Sequence, residues 1–208
     1  MSEEMTIPQG NELAAIENTS AMNAENLMLN TKALNLISRV AGRYANSGMV
    51  PRDYINKPDN CFVACELAAR MNVSPTLVMQ NLYIVQGRPS WSGQACIALI
   101  NGCGKFDHDL QFTFVGEPGT LTHGCFAHTH KDGHEIRSTT ITMKMAADEG
   151  WSKKAGSKWL TMPEQMMMYR AAAFFARVYC PNVLMGFSTV DEAEDIAPDE
   201  KPKTRIEL

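Results

Sequence analysis

Two arginines, Arg170 and Arg177, stand in the stretch TMPEQMMMYRAAAFFARVYCP, which is otherwise dominated by methionine, alanine and aromatic residues. At about 100° per residue a helix brings them within roughly 20° of each other, about 10 Å apart along the axis. A guanidinium pair of that spacing suits the repeating phosphates of a polyanion; it also suits open solvent or partner carboxylates. Just upstream, WSKKAGSKW sets Lys153, Lys154 and Lys158 between Trp151 and Trp159. A single strand needs both kinds of group, charge for its phosphates and π-faces for its bases. The plainer alternative is a solvated lysine loop whose tryptophans anchor in the core. Arg137 and Lys144 extend the basic stretch, and Trp91 adds an aromatic to the candidate DNA contacts.

Other chemistries find weaker footing. NGCGKF resembles a phosphate loop, but Leu99 stands where the first glycine belongs and Phe106 replaces the hydroxyl that holds Mg²⁺. CFAHTHKDGH offers Cys125, His128, His130 and His134, with His128 and His130 on one strand face, but at no standard zinc spacing. DHD could bring Asp107 and Asp109 to a divalent ion, so a metal-dependent nuclease using these and the hairpin histidines is the alternative from another class. A third reading is a scaffold whose methionine-rich helix docks a protein partner. No catalytic residue, metal or cofactor is expected under the main reading.

The elements that must position these groups follow from pattern. Thr161 and Glu164 make a T-x-x-E capping box, Pro163 fits a first turn and Pro181 forbids continuation, giving a helix over about 162–180. Before it, DLQFTFVG, LTHGCFAHTH and EIRSTTITM read as three strands joined by EPGT and by KDGH, an antiparallel meander. Its last strand would place Arg137, Thr139, Ile141 and Met143 on one face. Upstream, PDNCFVACELAARMN and SPTLVMQN read as helices, LYIVQG as a strand, RPS as a turn, and SGQACIALING as an internal helix. From about residue 21 to 46 the spacing of Leu27, Leu34, Ile37, Ala41 and Tyr44 makes a narrow seam, suited to docking on another subunit.

With 208 residues and 45% hydrophobic content the chain is long enough for one sizeable core. No apolar run approaches the roughly 20 residues of a membrane span, and MSEEMTIPQGNE lacks a secretory layout, so a cytoplasmic protein is expected. Its six cysteines form no C-x-x-C pair and mostly sit in apolar segments, as reduced core residues do. The net charge of −4 hides a segregation: residues 1–30 hold five acids and no base, residues 137–177 seven bases and three acids, residues 191–208 seven acids and three bases. A basic segment between acidic ends fits a polyanion-binding face with solvated tails.

W…WLTMPEQMMMYRAAAFFARVYCPNVLMGFSTVDEAED resembles the C-terminal signature of the phage RecT single-strand annealing proteins, and more distantly that of the lambda beta recombinase. NCFVACELAARMNVSPTLVMQNLYIVQGRPSWSGQACIALINGCGKF is similar to that family's first block. The resemblance spans about residues 55–196 through its ordered M-P, M-x-x-Y-R-A, A-R and D-E-x-x-D elements. It implies a protein of phage homologous recombination in the bacterial host cytoplasm. Such a protein coats single-stranded DNA, anneals it to a complement without ATP, and forms rings or helical filaments beside a phage exonuclease and, by extension, host single-strand binding protein. It also implies that Arg170 contacts the DNA backbone and that the lysines before M-P line a basic groove.

The expected architecture is α+β: a β-β-β-α core of meander and crossing helix within residues 55–188. Around it lie further N-terminal helices, a disordered acidic segment over 1–20, an oligomerisation helix over 21–46, and a mobile acidic tail over 189–208.

Overall fold

A computed structural model describes residues 30–196. The chain divides between Gln80 and Asn81 into two compact units, later than the boundary expected near residue 50.

The first unit is helical. Helix α1 (Thr31–Ala45) starts at Asn30, whose side chain accepts from the amides of Lys32 and Ala33 at 3.0 and 3.2 Å. That cap sets the start of the helix at Thr31; residues 21–29 of the expected oligomerisation helix lie outside the described residues. Helix α2 (Pro58–Met71) has proline in its first turn and stops at Asn72 in the left-handed region. Ser74 caps α3 (Pro75–Asn81), accepting from the Leu77 amide at 3.2 Å. Helices α1 and α2 pack together, burying mainly alanine and cysteine: Ala33, Ala41 and Ala45 on one, Cys61, Ala64, Cys65 and Ala68 on the other. Of the proposed docking seam, Ala41 is buried and Leu34, Ile37 and Tyr44 are half-buried, while Leu27 lies outside the described residues.

The second unit carries two sheets. Strands β1 (Leu82–Val85) and β2 (Arg88–Trp91) form a tight hairpin through Gln86 and Gly87, both at positive φ as a two-residue hairpin turn requires. Residues 88–90, expected as a turn, are thus strand. Helix α4 (Gly93–Gly102) follows, with Ser92 accepting from the Ala95 amide at 3.0 Å.

The meander is β3 (Gln111–Val115), β4 (Gly124–Lys131) and β5 (His134–Arg137), antiparallel throughout, with Phe112 opposite Ala127 and His130 opposite Glu135. The third strand does not run on to Met143. At Ser138 the backbone amide donates to Ala127 O, but the Ser138 hydroxyl, not its carbonyl, accepts from the Ala127 amide. The ladder lapses there and resumes only as β6 (Ile141–Thr142), paired with Cys125 and Gly124. Thr142 then caps α5 (Met143–Asp148), so Met143 begins a helix instead of ending a strand.

A 3₁₀ turn (Trp151–Lys153) and the single-turn α6 (Lys158–Thr161) lead into α7 (Pro163–Tyr179), the long helix that lies across β4. Alternate residues Cys125, Ala127 and Thr129 of β4 are buried, the period-two signature of a sheet covered on one face. The expected capping box does not form: Met162 is the N-cap and no side chain caps α7. After a second 3₁₀ turn (Pro181–Val183), β7 (Ser188–Thr189) adds parallel to β2. Helix α8 (Val190–Ile196) ends the described chain with Asp191 and Glu192 buried. The opening of the expected mobile tail is therefore a folded element; the rest of that tail and residues 1–29 lie outside the described residues.

Candidate nucleic-acid interface

The two arginines of α7 are both held by carboxylates, Arg170 buried and Arg177 at the surface. Arg170 is 3% exposed, and its guanidinium pairs with the Asp195 carboxylate and donates to Asp191 O at 3.4 Å. Burial pulls its pKa down, opposed by the carboxylates of Glu192, Asp195 and Asp191. Burial likewise pushes Asp195 up, against the Arg170 charge and the Trp159 indole, whose Nε1 donates to Asp195 Oδ2 at 3.1 Å. Arg177 makes a two-pronged pair with Glu192 at 2.6 and 2.5 Å. Glu192 in turn accepts from the Thr189 amide and hydroxyl at 3.0 and 3.1 Å, while the Arg177 side chain stays 46% exposed. Carboxylates of α8 occupy both arginines, the third of the readings open from spacing alone.

The tryptophans serve the same cluster. Trp151 and Trp159 are buried with ring centroids 5.2 Å apart, and the Arg170 guanidinium lies over Trp151 at 3.9 Å from its centroid. Trp91 is fully buried and donates from Nε1 to Leu184 O at 3.3 Å. Indoles used this way offer no face to a base, so their place among the DNA contacts falls away, and the core-anchored tryptophans of the plainer alternative are what the fold contains.

The lysines between the tryptophans remain outside. Lys153 and Lys158 are exposed, and half-buried Lys154 donates from Nζ to Glu194 O at 2.6 Å. Two depressions meet at Lys158 and Glu194. One, about 240 Å³, is lined by Lys154, Gly156, Ser157 and Trp159. The other, about 360 Å³, is lined by Tyr83, Ser92, Gly93, Gln94, Tyr169 and Asp191. Together they form a trough whose lining includes Asp195 in the first depression and Asp191 in the second.

The W-S-G and M-x-x-Y-R-A elements converge at the second depression. A Cβ on Gly93 would fall 2.3 Å from Tyr169 Cγ, so the ring sits directly on the glycine backbone at the start of α4. Trp91 anchors β2, Ser92 caps the helix and also donates to Asn81 Oδ1 at 3.0 Å, and Gly93 seats the tyrosine. Tyr83, Gln94 and Tyr169 were not singled out from sequence; the available signal was the tyrosine beside Arg170 and the glycine following a cap.

The other expected contacts lie elsewhere. Arg137, exposed on β5, places its guanidinium 5.5 Å from the Phe126 centroid. Lys144 pairs along its own helix with Asp148 at 2.5 Å. Neither lines either depression. Asp107 braces a turn, its carboxylate accepting from the Gly133 and Asp132 amides at 2.9 and 3.3 Å, chiefly the Gly133 bond holding its pKa low. His128 Nε2 lies 3.0 Å from Thr113 Oγ1, and His130 packs edge-on against His108. Among the described residues no group of three or more His, Cys, Asp or Glu is placed to hold a metal ion, and no helix is long and apolar enough to cross a membrane.

No curated protein and no solved structure shows significant similarity to the chain. The RecT family model, by contrast, matches residues 31–205, which takes in both helical and sheet-bearing units. With most of its length matched, and with the Y-R-A and D-E-x-x-D elements locked together as Arg170 on Asp195, the chain belongs to the RecT family, whose members are single-strand annealing proteins of recombination.

Proposed function

We propose that this protein binds single-stranded DNA along the lysine-rimmed trough and anneals complementary strands without ATP, in phage homologous recombination. The observation that carries the reading is the pair of depressions that meet at exposed Lys158: Lys154 lines one, Tyr83 and Tyr169 line the other, and exposed Lys153 is the chain neighbour of Lys154. Mobile ammonium groups meet phosphates and read no base edge, so the bases stay free to test complementarity. Arg170 and Arg177 support this surface from beneath, by holding α8 in place.

Mixing labelled complementary oligonucleotides with the protein, with and without chelator, tests it. Duplex formation without strand shortening is expected; chelator-sensitive shortening would make the protein a nuclease. Replacing Lys158 with Gln should weaken binding alike on unrelated sequences and flatten log K against log salt by about 0.7, one phosphate contact on a single strand.

Assembly into a homo-oligomer, beside an exonuclease, belongs to the same proposal. Because α1 packs on α2, cutting through it would damage the first unit. Replacing half-buried Ile37 of the seam with Glu leaves the helix in place; it should lower the oligomer mass seen by light scattering while circular dichroism shows a folded protein.

A further inference from the structure

We infer that the Tyr83 end of the trough is a base-receiving subsite: one nucleobase of the bound strand leaves its stack and lies against Tyr83 and Tyr169, while its phosphate meets Lys158. The inference rests on the trough reading above and adds to it a discrete place for the uncharged part of a nucleotide. The depression, about 360 Å³, falls within the roughly 300–1,000 Å³ range of small-molecule pockets. Its charge decides which part of a nucleotide enters. Asp191 and Glu194 line it and repel a phosphate, whereas Lys158 stands where it joins the second depression and attracts one. Tyr83 is 44% exposed on β1, a large ring left in contact with water beside this hollow. Tyr169 is held from behind by Gly93, so its ring is set in place before any base arrives. Exposed Gln94 carries both a donor and an acceptor, which suits a base edge of either polarity. Stacking on tyrosine accepts every base, so the subsite keeps recognition sequence-blind.

The experiment compares two probes of equal length by fluorescence anisotropy: an oligothymidylate and a fully abasic oligodeoxynucleotide that keeps the phosphates and lacks the bases. Tyr83→Ala, at an exposed position and with its fold checked by circular dichroism, should weaken oligothymidylate binding about tenfold and leave binding to the abasic strand unchanged. Tyr83→Phe, which keeps the ring, should match the parent protein on both. Lys158→Gln should weaken both probes. Equal losses on the two probes for Tyr83→Ala, or no loss on either, would overturn the subsite while leaving the trough standing. A Lys158→Gln protein with unchanged affinity and salt slope would instead overturn the trough, and the subsite with it.

Discussion

Arg170 carries a positive charge into a place from which water is excluded, and three groups make that tolerable: the Asp195 carboxylate, the Asp191 carbonyl and the face of Trp151. Removing one partner of such a pair leaves the other charged and buried, a loss of about 3–5 kcal/mol. Arg170→Ala should therefore lower the urea midpoint sharply, and any loss of DNA binding should track the fraction unfolded. Arg170→Met with Asp195→Leu together should lose less than the two single changes summed, because neither member of the pair is left without the other. Asp107 supports a different test, since hydrogen bonds from Gly133 and Asp132 hold its folded pKa below the ordinary 3.8. A depressed carboxyl stabilises the folded state above the unfolded pKa and ceases to do so as pH falls through the folded one. The melting temperature of Asp107→Ala should lie below that of the parent at pH 6, and the gap should close as pH drops below about 4.

At the scale of elements, α8 does the opposite of what an acidic tail suggests. Glu192 ties Arg177 to the Thr189 amide, and Asp195 ties Arg170 to Trp159, so this short helix fastens α7, β7 and the tryptophan pair to one another. A chain ending at Ser188 loses all of these partners at once and should melt at a much lower temperature by circular dichroism. A chain ending at Ile196 should melt like the full sequence, and a Ser188 chain that does the same would show that α8 is dispensable. Helix α4 and helix α7 are coupled through a single missing side chain. Gly93→Ala drives a methyl group into the Tyr169 ring, so it should both destabilise the fold and shift Tyr169 in the trough. The near-ultraviolet dichroism of the aromatic residues should change where Gly102→Ala, with nothing within 4 Å of its new Cβ, leaves it alone.

For the whole molecule, segregated charge has two destinations. Part of the basic segment, Arg170 and Arg177, is neutralised by the carboxylates of α8; Lys153 and Lys158 stay exposed, available to a polyanion despite a net charge of −4. Replacing Lys153, Lys154 and Lys158 together with Gln should flatten the salt dependence of single-strand binding by about 2, the sum of three phosphate contacts at 0.7 each. Annealing rates should fall in proportion to binding and show no dependence on added nucleotide.

Local pattern was enough for most of the elements. Ser92, Ser74 and Pro163 mark helix starts by chemistry that acts within a few residues, and the alternation of Phe112 and Phe114 marks a strand with no need of its partner. It was also enough for the family, because the Y-R-A and D-E-x-x-D elements stand in order along the chain. What periodicity cannot carry is the environment of each face. The 20° between Arg170 and Arg177 is a property of one helix, whereas the question of phosphate or carboxylate is settled by which segment folds back against that face, fifteen to twenty-five residues later in the chain. The same holds for Trp151 and Trp159, aromatic in either reading and buried against each other and under the guanidinium that arrives from α7. Ser138, ordinary within a strand by composition, ends one because its hydroxyl takes the hydrogen bond due to a carbonyl, a choice visible only with β4 alongside. Spacing along the chain therefore determined most of the helices, the order of the meander and the family, and long-range pairing decided which charges are left for a ligand.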